Sequence, residues 1–180
     1  MNDGILVRLR CSVIVFRDGK ILLVHRDQDG TDNWVLPGGD PRPGEGMAAC
    51  ARREVLEETG LHVDPARCAF VFEAIDPTGT QRTLEIVFLA TRPVTGDLHS
   101  VEPGLLPVFV SLDLLGRLRL RPPISGHLRG LHDRDLPPTV PFLGNLWRPQ
   151  PALDIGAGIS GFSPFGRWSA GGRGRARRLE

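Results

Sequence analysis

Residues 39–61 read GDPRPGEGMAACARREVLEETGL, a Gly- and Pro-rich loop that turns into a run built for a helix. From Met47 to Thr59 there is no Gly or Pro, and Ala48, Ala51 and Val55 fall on one helical stripe. Gly60 stands where a left-handed stop belongs, and Leu61 is expected to fold back onto Leu56. The end of this helix carries Arg53, Glu54, Glu57 and Glu58. Residues three and four apart share a helix face, so Glu54, Glu57 and Glu58 can converge on one edge. Like charges so placed cost ~0.2–0.5 kcal/mol per pair. Arg53 can pair with Glu57, but a single arginine does not neutralise three carboxylates. A divalent cation would, because hard cations take oxygen ligands and leave room for water and phosphate. A solvated charged face is the competing reading of such a string. The loop tips the balance: its glycines allow close approach of a ligand, and a helix N-terminus offers free N–H groups to phosphate.

Working outward, residues 7–16 (VRLRCSVIVF) and 20–26 (KILLVHR) read as strands, with Asp18-Gly19 as a hairpin turn between them. Trp34-Val35-Leu36 is a short apolar run stopped by Pro37. Residues 68–75 and 82–91 read as an antiparallel pair around the turn DPTGT, and 107–111 as a last strand. A short helix is expected near 112–118, and another opened by Pro122-Pro123 through about 132. Strands on both sides of a helix imply an α/β sandwich with a mixed sheet.

The 180 residues suit one domain with a sizeable core. Three cysteines, Cys11, Cys50 and Cys68, are odd in number, lack metal-like pairing and sit in apolar settings, so buried thiols are expected. No signal pattern opens the chain and no apolar run approaches the ~20 residues of a membrane span, so a cytoplasmic setting without membrane contact is expected. Residues 149–180 turn to Gly, Ser, Pro and Arg without periodicity and read as a disordered tail behind a domain spanning 1–148. That tail holds five arginines against Asp154 and Glu180, so it carries +3 and the remainder −2 of the +1 total. Nucleic acid is a conceivable partner for it; an idle solvated tail is the plainer reading.

The spacing Gly39, five residues, Glu45, seven residues, then Arg53-Glu54-Val55-Leu56-Glu57-Glu58-Thr59-Gly60-Leu61 resembles the signature of the Nudix hydrolases at every fixed position. The wider resemblance runs over roughly residues 5–148. It implies an α/β/α sandwich with a mixed central sheet. It also implies hydrolysis, with Mg²⁺ or Mn²⁺, of a phosphoanhydride in a nucleoside diphosphate linked to a further group. Glu57 and Glu58 would be the principal metal ligands, and Glu54 a further ligand or the base for the attacking water. Arg53 would hold a glutamate by an ion pair, Gly39 would let the loop turn with its backbone near the metal, and Glu45 would support the loop.

Beyond the signature, Glu85 and Glu102 are candidates to complete the site, set against the plain reading of surface glutamates. Arg26, Trp34 and Arg82 are candidates to meet phosphate or base, Trp34 being as well suited to the core. Pro77, sixteen positions after Leu61, resembles the downstream proline of ADP-ribose pyrophosphatases, although it also fits an ordinary turn. The chain has no tyrosine, so it lacks the one typical of the diadenosine-polyphosphate group. ADP-ribose or a nucleotide sugar is the first expectation for the small-molecule substrate, and a (d)NTP the second. The alternatives are an RNA-directed enzyme using the tail and a non-catalytic sensor. The resemblance also admits a homodimer.

Overall fold

The second half of strand β1 (Leu6–Ile14), from Cys11 to Ile14, is buried on both faces, and that fixes the architecture around it. Cys11 and Val13 point into one apolar cluster with Cys50, Ala51 and Val55 of helix α1 (Met47–Thr59) and with Leu61. Ile14 points into another, with Phe70, Phe72, Val87 and Leu128. Alternate residues of a strand face opposite ways, so the two clusters lie on opposite faces of the sheet. Helix α1 covers one face, while a 3₁₀ helix (Leu112–Arg117) and α2 (Ser125–His132) contribute Leu115 and Leu128 to the other. This is an α/β/α arrangement. The computed structural model describes residues 6–28, 31–76, 79–100, 102–133 and 136–146.

The sheet holding β1 is mixed. Its order is β5 (Gly38–Gly39), β1, β7 (Gln81–Thr95), β6 (His62–Ile75), β9 (Phe142–Asn145). β1 runs parallel to β7 from Leu6↔Gln81 to Ile14↔Leu89, β7 antiparallel to β6, and β6 parallel to β9. A second sheet joins β3 (Lys20–Gln28) to β2 (Phe16–Arg17), β4 (Thr31–Val35) and β8 (Leu105–Ser111). Among the described residues no helix is long and apolar enough to cross a membrane.

Several expectations need correction. The Asp18-Gly19 turn exists, with both residues at positive φ, but it joins only the two-residue β2 to β3. The strand before it lies in the other sheet, because its end, Cys11–Ile14, is buried on both sides and it pairs with β7 far along the chain. Ala48 is exposed, and Cys50 takes its place in the buried stripe. Leu61 is fully buried in the α1 cluster, while Leu56 stays 39% exposed. The helix after Pro122-Pro123 starts at Ser125, two residues beyond the prolines, with Ile124 outside it as the N-cap. Strand β9 was not foreseen. Pro77 and the segment 149–180 lie outside the described residues.

Candidate active site

The loop from Gly38 to Gly46 reaches the site by way of β5, with Gly39 opposite Cys11 and Gly38 opposite Ser12. At Gly38 close approach to backbone leaves no room for a side chain, and at Gly39 a methyl would have to displace the Glu54 carboxylate. A Cβ on Gly38 would stand 2.3 Å from the Cys11 carbonyl, and one on Gly39 would stand 2.3 to 2.5 Å from the Glu54 carboxylate. The loop backbone and Glu54 are therefore in van der Waals contact. Helix α1 ends at Gly60 with φ 70°, whose N–H donates to the Leu56 carbonyl at 2.9 Å.

Arg53 is the hub of the carboxylates. Its Nε and Nη2 each donate to Glu45 at 2.8 Å, and Nη1 donates to Glu54 at 2.6 Å and to Glu57 at 2.9 Å. Nη2 also reaches the Asp40 carbonyl at 3.2 Å. One planar fork thus ties three glutamates to the loop, which an ammonium could not do. Arg42 donates to Glu57 at 3.0 Å, and its main-chain N–H donates to Glu45 at 2.9 Å. The Arg53 bonds, then the Arg42 N–H, hold the Glu45 carboxyl down at about 2. The same carboxylates raise the pKa of Arg53, so it is charged throughout.

Glu58 is set apart. It is 2% exposed, with Oε1 accepting from Arg26 Nη2 at 2.6 Å and Oε2 from the Gly38 N–H at 2.8 Å. Burial pushes its pKa up, opposed by those two donors. Glu58 thus pins the loop to the helix and draws in the β3 arginine. Across the sheet, Glu85 on β7 is also buried; it accepts from the Ser12 hydroxyl and lies 3.7 Å from Arg10 Nε. Burial raises its pKa as well, against Arg10. The thiol of Cys50 is pushed up to about 12 by burial, which agrees with an inert core cysteine.

Arg53, Glu54, Glu57, Glu45 and Gly39 come together, with Glu58 and Arg26 adjoining. Trp34 does not face this cluster: it is 4% exposed, in the core against His25 at 4.8 Å. Arg82 pairs with Glu73 at 3.4 Å, and Glu102 is exposed in the loop before β8, its N–H donating to Ser100 Oγ at 3.1 Å. Sequence reasoning missed Arg8, Arg10, Ser12 and Arg121. Arg8, Arg10 and Ser12 share a face of β1, and polar residues at period two in VRLRCSV were the signal for them. Arg121 had none.

Among the described residues no three of His, Cys, Asp or Glu converge as a ready-made cation site. The donor set nevertheless suits a hard cation, being carboxylate oxygens of Glu54, against the Gly39 backbone, and of Glu57, joined to Glu54 through Arg53. Here those oxygens are turned onto Arg53 and Arg42.

A family model described as NUDIX domain matches residues 7–129. The chain is 36% identical over 102 residues to the human 8-oxo-dGDP phosphatase NUDT18, which covers 52% of this chain and 30% of that protein. It is 47% identical over 45 residues to nucleoside diphosphate-linked moiety X motif 6 of Xenopus laevis, covering 25% and 21%. It thus spans less than a third of either relative. A MutT NUDIX hydrolase from Burkholderia pseudomallei superimposes with a TM-score of 0.54 at 30% identity, over 60% of this chain and 85% of that one.

Proposed function

The chain belongs to the Nudix family, and from that premise we propose that it hydrolyses a phosphoanhydride bond in a nucleoside diphosphate linked to a further group. The observation that carries this reading is the Arg53 hub, which gathers Glu45, Glu54 and Glu57 around the loop backbone at Gly39 and Asp40. Three carboxylates gathered at the mouth of a glycine loop have a use in phosphoryl chemistry that a solvated surface patch does not need.

Glu54, Glu57 and the Gly39 backbone would hold a divalent cation, Mg²⁺ or Mn²⁺, with Glu58 behind them. A cation bound there supplies charge neutralisation to the diphosphate and a more acidic water. The chain's own residues do the rest. Arg53 fixes the directions of Glu54 and Glu57, so little reorganisation is left for the reaction itself. Glu54, close against Gly39, would either join the cation's ligands or accept the proton of the attacking water. Arg26 is anchored on Glu58 beside the loop and offers its guanidinium to a phosphoryl oxygen. Glu45 stays ionised and keeps Arg53 in place.

ADP-ribose and nucleotide sugars are the first substrates to test. A second reading, an oxidised purine nucleoside di- or triphosphate, draws on the 36% identity to the human 8-oxo-dGDP phosphatase over half of this chain. Both are tested by incubating the protein with ADP-ribose, UDP-glucose, 8-oxo-dGDP and dGTP in Mg²⁺ or Mn²⁺. Release of a nucleoside monophosphate is the expected product. Intact nucleotides across the panel in both metals would reject the proposal.

A further inference from the structure

A cleft of about 250 Å³ lies between the two sheets and the segment 121–123, beside the loop–helix cluster. Phe72 and several small apolar groups form part of its lining, but its chemistry is set by Arg8, Arg10, Arg26 and Arg121, with Glu85 as its one carboxylate. Three of the guanidiniums have a carboxylate near: Arg8 bonds Asp40 at 2.8 Å, Arg10 lies 3.7 Å from Glu85, and Arg26 bonds Glu58 at 2.6 Å. Arg121 forms no salt bridge among the described residues. Its Nε is buried without a hydrogen-bond partner, and so is the Nε of Arg26. Buried N–H donors left unmade cost free energy, and clustered guanidiniums repel one another, so the cleft is poised for an anion.

The diphosphate does not account for the whole cleft. Arg26 bonds Glu58 at the loop–helix junction, and with it a row of further arginines, Arg10, Arg8 and Arg121, lines the cleft. A substrate cut at the loop therefore has room to extend along this row. We propose that the cleft is an anion subsite, in which Arg121 receives a phosphate or carboxylate that the substrate carries in addition to the diphosphate being cut. This rests on the phosphoanhydride reading and narrows it to nucleotide derivatives with a second anionic group. That group belongs either to the nucleoside ribose or to the linked moiety. The guanidinium fork suits either anion, since both offer paired oxygens.

Two matched pairs of nucleotides separate the sources. ADP-ribose and ADP-ribose 2′-phosphate differ on the nucleoside side; UDP-glucose and UDP-glucuronate differ on the linked sugar. Affinities are measured by calorimetry in Mg²⁺-free buffer for the wild-type chain, Arg121→Gln and Arg121→Lys, and turnover is followed separately after Mg²⁺ or Mn²⁺ is added. In at least one pair the wild type should bind the more anionic member about tenfold more tightly. That ratio should collapse toward one in Arg121→Gln and return in part in Arg121→Lys, which a merely structural arginine would not produce. Ratios near one in both pairs, or a ratio untouched by Arg121→Gln, would overturn the subsite. Absence of turnover on all four nucleotides would instead count against the hydrolase reading, with the affinity ratios still judging the cleft.

Discussion

Arg53 bonds Glu45, Glu54 and Glu57 at once, and those bonds are what turn a run of like charges into an ordered cluster. Arg53→Ala should lower kcat about 10²-fold or more, because the carboxylates lose their direction. Arg53→Lys should recover little of this in the same assay, since an ammonium lacks the fork. Gly39→Ala separates chemistry from folding. The added methyl meets only the far end of the Glu54 side chain, which can swing aside. The unfolding free energy from thermal melting should therefore change by less than about 1 kcal/mol, while turnover falls steeply; a variant of full activity would place Glu54 outside the chemistry. Glu45 carries the pH signature. Its carboxyl is held at about 2 against an ordinary 4.5, so its contribution to stability is full above pH 4.5 and is lost as pH falls toward 2. The melting temperature of the wild type should drop faster than that of Glu45→Gln across that window. Parallel curves would show that the ion pair with Arg53 adds nothing.

Among the elements, α1 is the one most sharply specified. Its span, Met47–Thr59, was legible because a Gly/Pro loop precedes it, Gly60 ends it, and nothing inside it interrupts the helical period. Gly60→Ala should cost more than about 1 kcal/mol in denaturant unfolding. The residue has φ 70°, and a Cβ there would stand 2.4 Å from the His99 ring and 2.5 Å from the Asp97 carbonyl. A cost within error of zero would mean the helix end is freely rebuilt. The strands were recognised singly but not in their pairing. Periodicity says that Arg10 and Ser12 share a face; it does not say that the face meets Glu85, which comes from Arg10↔Glu85 pairing across 75 residues. For the same reason the glutamates of α1 were legible as a cluster, while the cleft was not. The helix supplies its own register, whereas the cleft is assembled from distant strands and a segment around Arg121 that has no period. Trp34 went the other way: an apolar aromatic beside a glycine loop can face a ligand, but here it closes the core.

For the whole molecule, a mixed sheet between two apolar clusters presents one helix edge and one glycine loop to each other, and Glu58 pins them together from within. The buried Glu58 and its Arg26 partner also connect that junction to the arginine cleft, so the proposed cutting site and the proposed anion subsite share a wall. In the proposed reaction the carboxylates on α1 act with a divalent cation to hydrolyse a phosphoanhydride. The measurement that tests it most directly is nucleoside monophosphate release from a nucleotide the wild type hydrolyses, as Mg²⁺ is titrated from a chelated baseline. It is run side by side with Glu57→Gln. Release that rises with Mg²⁺ in the wild type, and falls at least about 10²-fold in the variant with melting temperature retained, is the predicted result. Release that persists in chelator, or that Glu57→Gln leaves unchanged, would contradict it.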